Sequence, residues 1–549
     1  MQWGNDSQHT GAIAGAAQTP TTILASYLYD PFVSQETQTT GSLLVHYQVP
    51  LVDGDDVFME TKSGTYDPGD WQVQTFNIAA LRWTNGQLTQ RWVTPTDWKP
   101  APRGGAFFEP VFHPILANNS VYMPAAGGTL LQLDRNSGAV IRRINPFPSI
   151  DTSIYVAGPL SSDASGNVVY NTIQFDTQQP WAVDIRGAWL VKVTPAGTAT
   201  RVTYASITPN APHAGDACLG VFTTSAPWPP SPTAVPPSLA CGSQRPGLNA
   251  APAIASDGTI YTVSRAHFVS RTAYLVAVNS DLTPKWTSTF RDRLTDGCNV
   301  LLPPNGTPGG CRSGALTGVD PADNRMGSGR VSDDSTSSPV IAPDGSIYFG
   351  AYTRYNYSQG HTMHFSAAGD FLGAYRFGWD ITPSIWQHGG GYSVIIKENH
   401  YGELGSYCDD PNVCPHGRTA SDPEQYLITR LSPSLDIEWT FKSTNTQSCR
   451  RLSNGTITCA TDHPDGFEWC VNAGAVDANG TTYVNSEDGF LYAIDASGNQ
   501  LGRLFLQLAI GAAYTPLSID AKGRVYTQND GRLFVVGTPS VARRRAVGH

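Results

Sequence analysis

The chain has 549 residues, a formal net charge of −10 and only 15% charged residues, against 54 Gly, 40 Pro, 13 Trp and 23 Tyr. An acidic balance with no internal Lys/Arg block argues against a nucleic-acid partner. No apolar run reaches the ~18–20 residues that cross a bilayer as a helix. Few charges with many turn formers and aromatics point instead to short strands joined by tight turns.

The first residues, "MQWGNDSQHTG", contain no hydrophobic leader, although a start Met in place of a removed signal peptide would read the same. "TILASYLYD" and "GSLLVHYQV" follow as two isolated strand candidates. From Val49 the chain then repeats one grammar: Pro, a short apolar strand, an Asp/Asn-Gly turn, and a strand ending in an aromatic. It is clearest in "SSPVIAPDGSIYFG" at Ser337 and "APAIASDGTIYTV" at Ala251. The units begin near Pro50, Pro110, Pro159, Pro252, Pro339, Pro383, Gly474 and Pro516. The turn residues supply the positive φ of a tight hairpin, and the alternation supplies half-buried strands. A second hairpin follows in most units, as in "YVNSEDGFLYAIDASGNQLGRLF". Each unit is then a four-stranded antiparallel meander, and eight in succession predict a single all-β domain, an eight-bladed β-propeller. The eighth unit ends after "GRLFVVG", so one of the two N-terminal strand candidates is expected to close the ring. The C-terminal "ARRRAVGH" reads as a solvated tail.

Some units are spaced by the length of one blade, but three intervals are about twice as long. Insertions are expected at about 209–248, 294–335, 401–424 and 445–468. Their proline-rich stretches, "APWPPSPTAVPPS" and "LLPPNGTPGG", cannot be central strands. All nine cysteines fall in the three long spacings, Pro159 to Pro252, Pro252 to Pro339 and Pro383 to Gly474. Local disulfides Cys218–Cys241, Cys298–Cys311, Cys408–Cys414 and Cys449–Cys459 would pin the loops, leaving Cys470 over. That pattern implies an oxidising compartment, secreted or periplasmic. No C-x-x-C pair or Cys/His finger spacing supports zinc, and no C-x-x-C-H supports a c-type haem.

The unit "GFLYAIDASGNQLGRLF" resembles the PQQ-like β-propeller repeat, G-x-L-x-A-x-D-x-x-x-G closed by Trp. Looser copies carry that Trp as Trp92, Trp286 and Trp439, and "WGNDSQHTG" is similar to the opening segment of secreted members. The resemblance implies a propeller fold and two kinds of function: quinoprotein dehydrogenases using PQQ and Ca²⁺, and non-catalytic scaffolds such as outer-membrane assembly lipoproteins. The dehydrogenases typically carry two adjacent cysteines against the cofactor. This sequence has no such pair, which counts against PQQ.

A propeller ligand usually sits on the axis at the face where the loops between second and third strands emerge. Those loops, with the segments entering the inner strands, offer Arg354, Asp380, Lys397, Glu398, His400, Glu487, Asp488 and Asp530. Their carboxylates can ligate Ca²⁺ through oxygen or act as a general base. Glu398 and His400 alternate along one strand end and face the same side, which makes them the candidate catalytic pair. Trp386 and His388 flank a glycine-rich turn where a ligand can approach the backbone. Asp488 and Asp530 also fit ordinary turn chemistry, and His361 and His364 face opposite sides of a strand. Three functions fit this sequence. The first is a binding propeller with a protein or carbohydrate partner, the second a quinoprotein-like oxidoreductase, and the third a polysaccharide lyase or hydrolase.

Overall fold

Eight antiparallel blades follow one another along the chain, each of four strands from inner to outer, except that Gln244–Arg245 adds a fifth strand to the sheet of blade 4 and blade 8 takes its outer strand from the N-terminal segment. The computed structural model describes residues 1–41, 43–104, 107–222, 227–295, 297–300, 311–353, 360–400, 424–508 and 516–539. Blade 1 consists of Leu51–Asp53, Asp56–Gly64, Gln74–Thr84 and Gln87–Pro95. The inner strands of blades 2 to 7 are Ile115–Ala117, Ile154–Ser162, Ala253–Ile254, Val340–Ile341, Ser384–His388 and Ala475–Val476. In blade 2 it is Pro114, not Pro110, that precedes the inner strand, because Ile115 pairs with Tyr122 as Leu51 pairs with Phe58.

Blade 8 contributes Ser518–Ile519, Val525–Asn529 and Arg532–Gly537. Its fourth strand is Thr22–Leu28, antiparallel to Arg532–Gly537, so the first of the two N-terminal candidates closes the ring. The second candidate leads into blade 1. Closure removes the open edge that blade 8 would otherwise expose.

The repeat's glycine and tryptophan turn out to be two halves of one joint. The indole of Trp92 in blade 1 packs on Gly138 in the outer turn of blade 2, where an added Cβ would lie 2.6 Å from the ring. Trp286 and Gly369 do the same between blades 4 and 5, and Trp439 and Gly498 between blades 6 and 7. The three glycines have φ of +74°, +93° and +84°, so both the backbone and the neighbouring ring exclude a side chain. Trp92 and Trp286 also donate their Nε1–H to turn carbonyls, of Arg135 and Ala367.

The N-terminal segment runs across the axis at the end where first and second strands turn. Met1 accepts from the Leu116 N–H, and Gln2 bonds the Ser162 backbone. Ser7, Gln8, Thr10 and Gly11 accept from Ile254, Ile341, Ile385 and Val476. Eleven residues thus tie six consecutive inner strands together. Trp3 points up the axis, 0% exposed, among Val49, Val111, Ala251 and Ala473, with its Nε1–H on Thr382 Oγ1 at 2.9 Å. The axis is filled from this turn face. The opposite end of the axis is the loop face.

Among the described residues the insertions carry the disulfides Cys218–Cys241, Cys298–Cys311 and Cys449–Cys459. Cys470 is free and buried, and Cys408 and Cys414 lie outside the described residues. The first two insertions interlock. Arg312 bonds the carbonyls of Trp228 and Pro229, and Phe222 bonds Ala322.

Candidate functional site

The segments that climb towards the loop face before each inner strand converge on the axis. His46 stands four residues before Pro50 and Cys470 four before Gly474, while Asn249, Thr336 and Asp380 stand three before Pro252, Pro339 and Pro383. Like positions in successive repeats therefore ring one centre. Asp380 is 0% exposed and adopts φ 54°, a left-handed conformation that costs a non-glycine residue about 1–3 kcal/mol. Its Oδ1 accepts from the Thr336 N–H at 2.9 Å, and its Oδ2 faces Lys397 Nζ at 3.8 Å. His46 lies beside this pair, in ring contact with Phe108 at 5.0 Å. Burial lowers His46 to about 4; Lys397 adds to that effect and Asp380 opposes it.

On the blade 7 side, Glu468, Cys470 and Glu487 bring their ligand atoms within 4.8 Å of one another. The Cys470 thiol reaches Glu468 Oε1 at 3.4 Å and packs on Phe108. Burial raises its pKa well above the ordinary range, Glu487 and Glu468 raise it further, and Lys397 opposes them. Towards blade 4, Asp333 is clamped by both guanidinium nitrogens of Arg245 at 2.8 and 2.6 Å and by Arg265 at 3.2 Å. Burial alone would raise Asp333, but the two arginines win and hold it near 2. The neighbouring Asp334 takes the backbone N–H groups of Phe107 and Phe108.

Of the residues singled out in the sequence, Asp380, Lys397 and Glu487 stand at this centre. Glu398 and His400 are brought together, Oε1 to Nε2 at 2.7 Å, but between blades 5 and 6 rather than on the axis. Tyr375 and Thr429 also donate to Glu398 Oε2, at 2.8 and 2.6 Å, and His400 stacks on Phe377 with centroids 4.1 Å apart. Asp488 is buried in its turn, taking the Phe490 N–H, Asn445 and Tyr492, and burial raises its pKa. Asp530 faces the rim beside Arg450 and Arg532, away from Asp380; burial raises it against those two cations. Trp386 and His388 lie at the turn face, with Trp386 packed on Gly480 of blade 7 and His388 bonded to Ser393. Arg354 lies outside the described residues. His361 and His364 are buried in blade 5, the latter stacked on Tyr348 at 4.2 Å.

Sequence reasoning missed His46, Phe108, Glu468 and Cys470 as members of the centre. The signal was present: an odd cysteine at the position His46 occupies in the first repeat. A planar tricarboxylate such as PQQ needs cations for its acid groups. Among the described residues, Asp334, Asp380, Glu468 and Glu487 stand against Lys397, while Arg245 and Arg265 are engaged by Asp333, and there is no adjacent cysteine pair. This donor set is a poor match to that cofactor.

No family model matches the chain, and no curated protein matches its sequence. Its fold is similar to that of a europium-containing methanol dehydrogenase, with a TM-score of 0.51 at 11% identity over 96% of this chain and 89% of that one. The quinohemoprotein alcohol dehydrogenase of Comamonas testosteroni gives 0.51 at 11% over 98% and 81%. BamB of Moraxella catarrhalis gives 0.42 at 11% over 94% and 99%. At that identity the likeness is one of fold.

Proposed function

We propose that the chain is a binding propeller, and that its axial centre on the loop face takes a cation, either a divalent metal ion or a ligand bearing an amine. The observation that carries this reading is the approach of Glu468, Cys470 and Glu487, whose ligand atoms lie within 4.8 Å of one another, at the end of the axis opposite Trp3. Two carboxylates and a thiol are donors of the kind that borderline metals such as Zn²⁺ accept, while carboxylates alone suit Ca²⁺. Deprotonation of Cys470 on metal binding would release a proton, so affinity should rise with pH. The three disulfides support an oxidising compartment, outside the cytosol.

The test is thermal unfolding with and without Zn²⁺, Ca²⁺ or a diamine. A ligand at ~100 times its Kd should add about 2.7 kcal/mol of stability, and Glu487→Gln or Cys470→Ser should remove the gain. No gain from any of the three probes would sink the reading. A bound-quinone absorbance with dye-linked alcohol oxidation after addition of PQQ and Ca²⁺ would replace it with an oxidoreductase.

A further inference from the structure

The first two insertions leave the ring on either side of one cleft. Asn210 marks the start of the first, and the loop Arg291–Arg293 leads into the second. Between them lies a cavity of 710 Å³, walled by the outer strand of blade 4, Pro284–Thr289, and by the outer turn of blade 5 at Ala368–Phe371. In most blades this rim carries the repeat's own turns. Here the interlocked insertions brace it. Asp292 adopts φ 56° and is held by the Arg325 guanidinium at 3.0 and 3.3 Å, and its N–H bonds Ser328. That fixes the two flanking arginines in place.

The cleft has a net excess of one positive charge: Asp292 is matched by Arg325, and Asp370, which accepts from Ser366 at 3.1 Å, keeps its charge against the two arginines Arg291 and Arg293. Arg291 and Arg293 have no carboxylate partner among the described residues. The Arg293 guanidinium lies 5.5 Å above the Phe371 ring, with Nε directed at the Thr289 carbonyl at 3.3 Å. With Nε engaged there, the terminal N–H groups are the donors that a guanidinium offers to an oxyanion. The Thr287 hydroxyl, a buried oxygen with no partner, supplies a further donor in the same wall.

We propose that this cleft is a second binding site, for a small ligand carrying an oxyanion: a carboxylate, phosphate or sulfate group. It is independent of the axial reading, since it shares no residue with that centre and takes the opposite charge. Arg291 and Arg293 hold the anion, and Thr287 and Asn210 read the groups around it.

Titration calorimetry on the intact protein at low salt, with citrate, inorganic phosphate and inorganic sulfate as separate probes, tests this and distinguishes the three sources. We expect saturable one-site binding of at least one probe. Arg291→Gln and Arg293→Gln should each weaken it roughly 10-fold. Arg293→Lys should keep part of the affinity and Thr287→Val should lower it, while Glu487→Gln on the axis should leave it unchanged. Both arginines lie on the rim, and a melting curve on each variant checks that the fold is kept. The proposal fails if none of the three probes binds at ~10 mM, or if the double variant Arg291→Gln/Arg293→Gln binds as the parent does.

Discussion

Glu398 illustrates how far a residue's role depends on a neighbour that sequence does not reveal. Its alternation with His400 on one strand is local and was readable, and the two do meet. Its other partners, Tyr375 of blade 5 and Thr429 of the adjacent strand, are brought in by packing between blades. With three donors on one buried carboxylate, Glu398 is a joint between blades 5 and 6. Glu398→Gln is therefore expected to lower stability by about 1–3 kcal/mol, because an amide cannot accept all three bonds and brings donors of its own. Urea denaturation measures this, and an unchanged midpoint would contradict it. Asp344 is the opposite case. It bonds Ser346 two residues on, as a turn aspartate should, and that part of its role was legible because the partner is adjacent, whereas its bond from Tyr392 of blade 6 was not. Cys470 was legible as an odd cysteine, but its neighbours Glu468, Glu487 and Phe108 come from three parts of the repeat.

At the scale of elements, the connection from the closing strand to blade 1 is docked on an unusual cluster. The helix Val33–Thr40 buries Glu36 near Lys62, which bridges Asp30 at 3.2 Å and Glu109 at 3.0 Å, with Glu60 on the same strand. Tyr29, Tyr47 and Tyr66 also face it, and Arg103 lies beyond Tyr66. Four carboxyl groups share one ammonium. Burial pushes Glu36 up to about 8; Glu109 and Asp30 add to the shift and Lys62 opposes it. The folded chain thus keeps a proton that the unfolded chain releases above its ordinary carboxyl pKa. Stability from this group is full at acidic pH, declines between about pH 4.5 and 8, and is level above that. Glu36→Gln should flatten that decline and stabilise the protein at pH 8, as read by Tm across the range. A parent Tm that does not fall between those limits, or a variant that falls as the parent does, would refute the assignment.

Over the whole molecule, blade number and strand order were legible because each blade is a local meander with its own turns. The glycine–tryptophan joints and the path of the N-terminal segment were not, since both are contacts between repeats. Trp3 touches segments of five blades, and Trp3→Ala should cost about 3–5 kcal/mol. It should also broaden the unfolding transition as neighbouring blades uncouple, which calorimetry would detect as a van't Hoff enthalpy below the calorimetric one. The same path sets an order of assembly. Residues of the N-terminal segment bond partners made much later: Gly11 to Val476, Gln18 to Gly523, and Thr22–Leu28 to Arg532–Gly537. Closing so long a loop rather than one tenfold shorter adds only about 2 kcal/mol of entropy, so the finished ring loses little stability by it. The delay falls on kinetics, where distant pairings slow folding. Until the last blade leaves the ribosome, the opening segment has no complete seat, and the nascent protein is an unfastened arc whose two ends are both sticky edges.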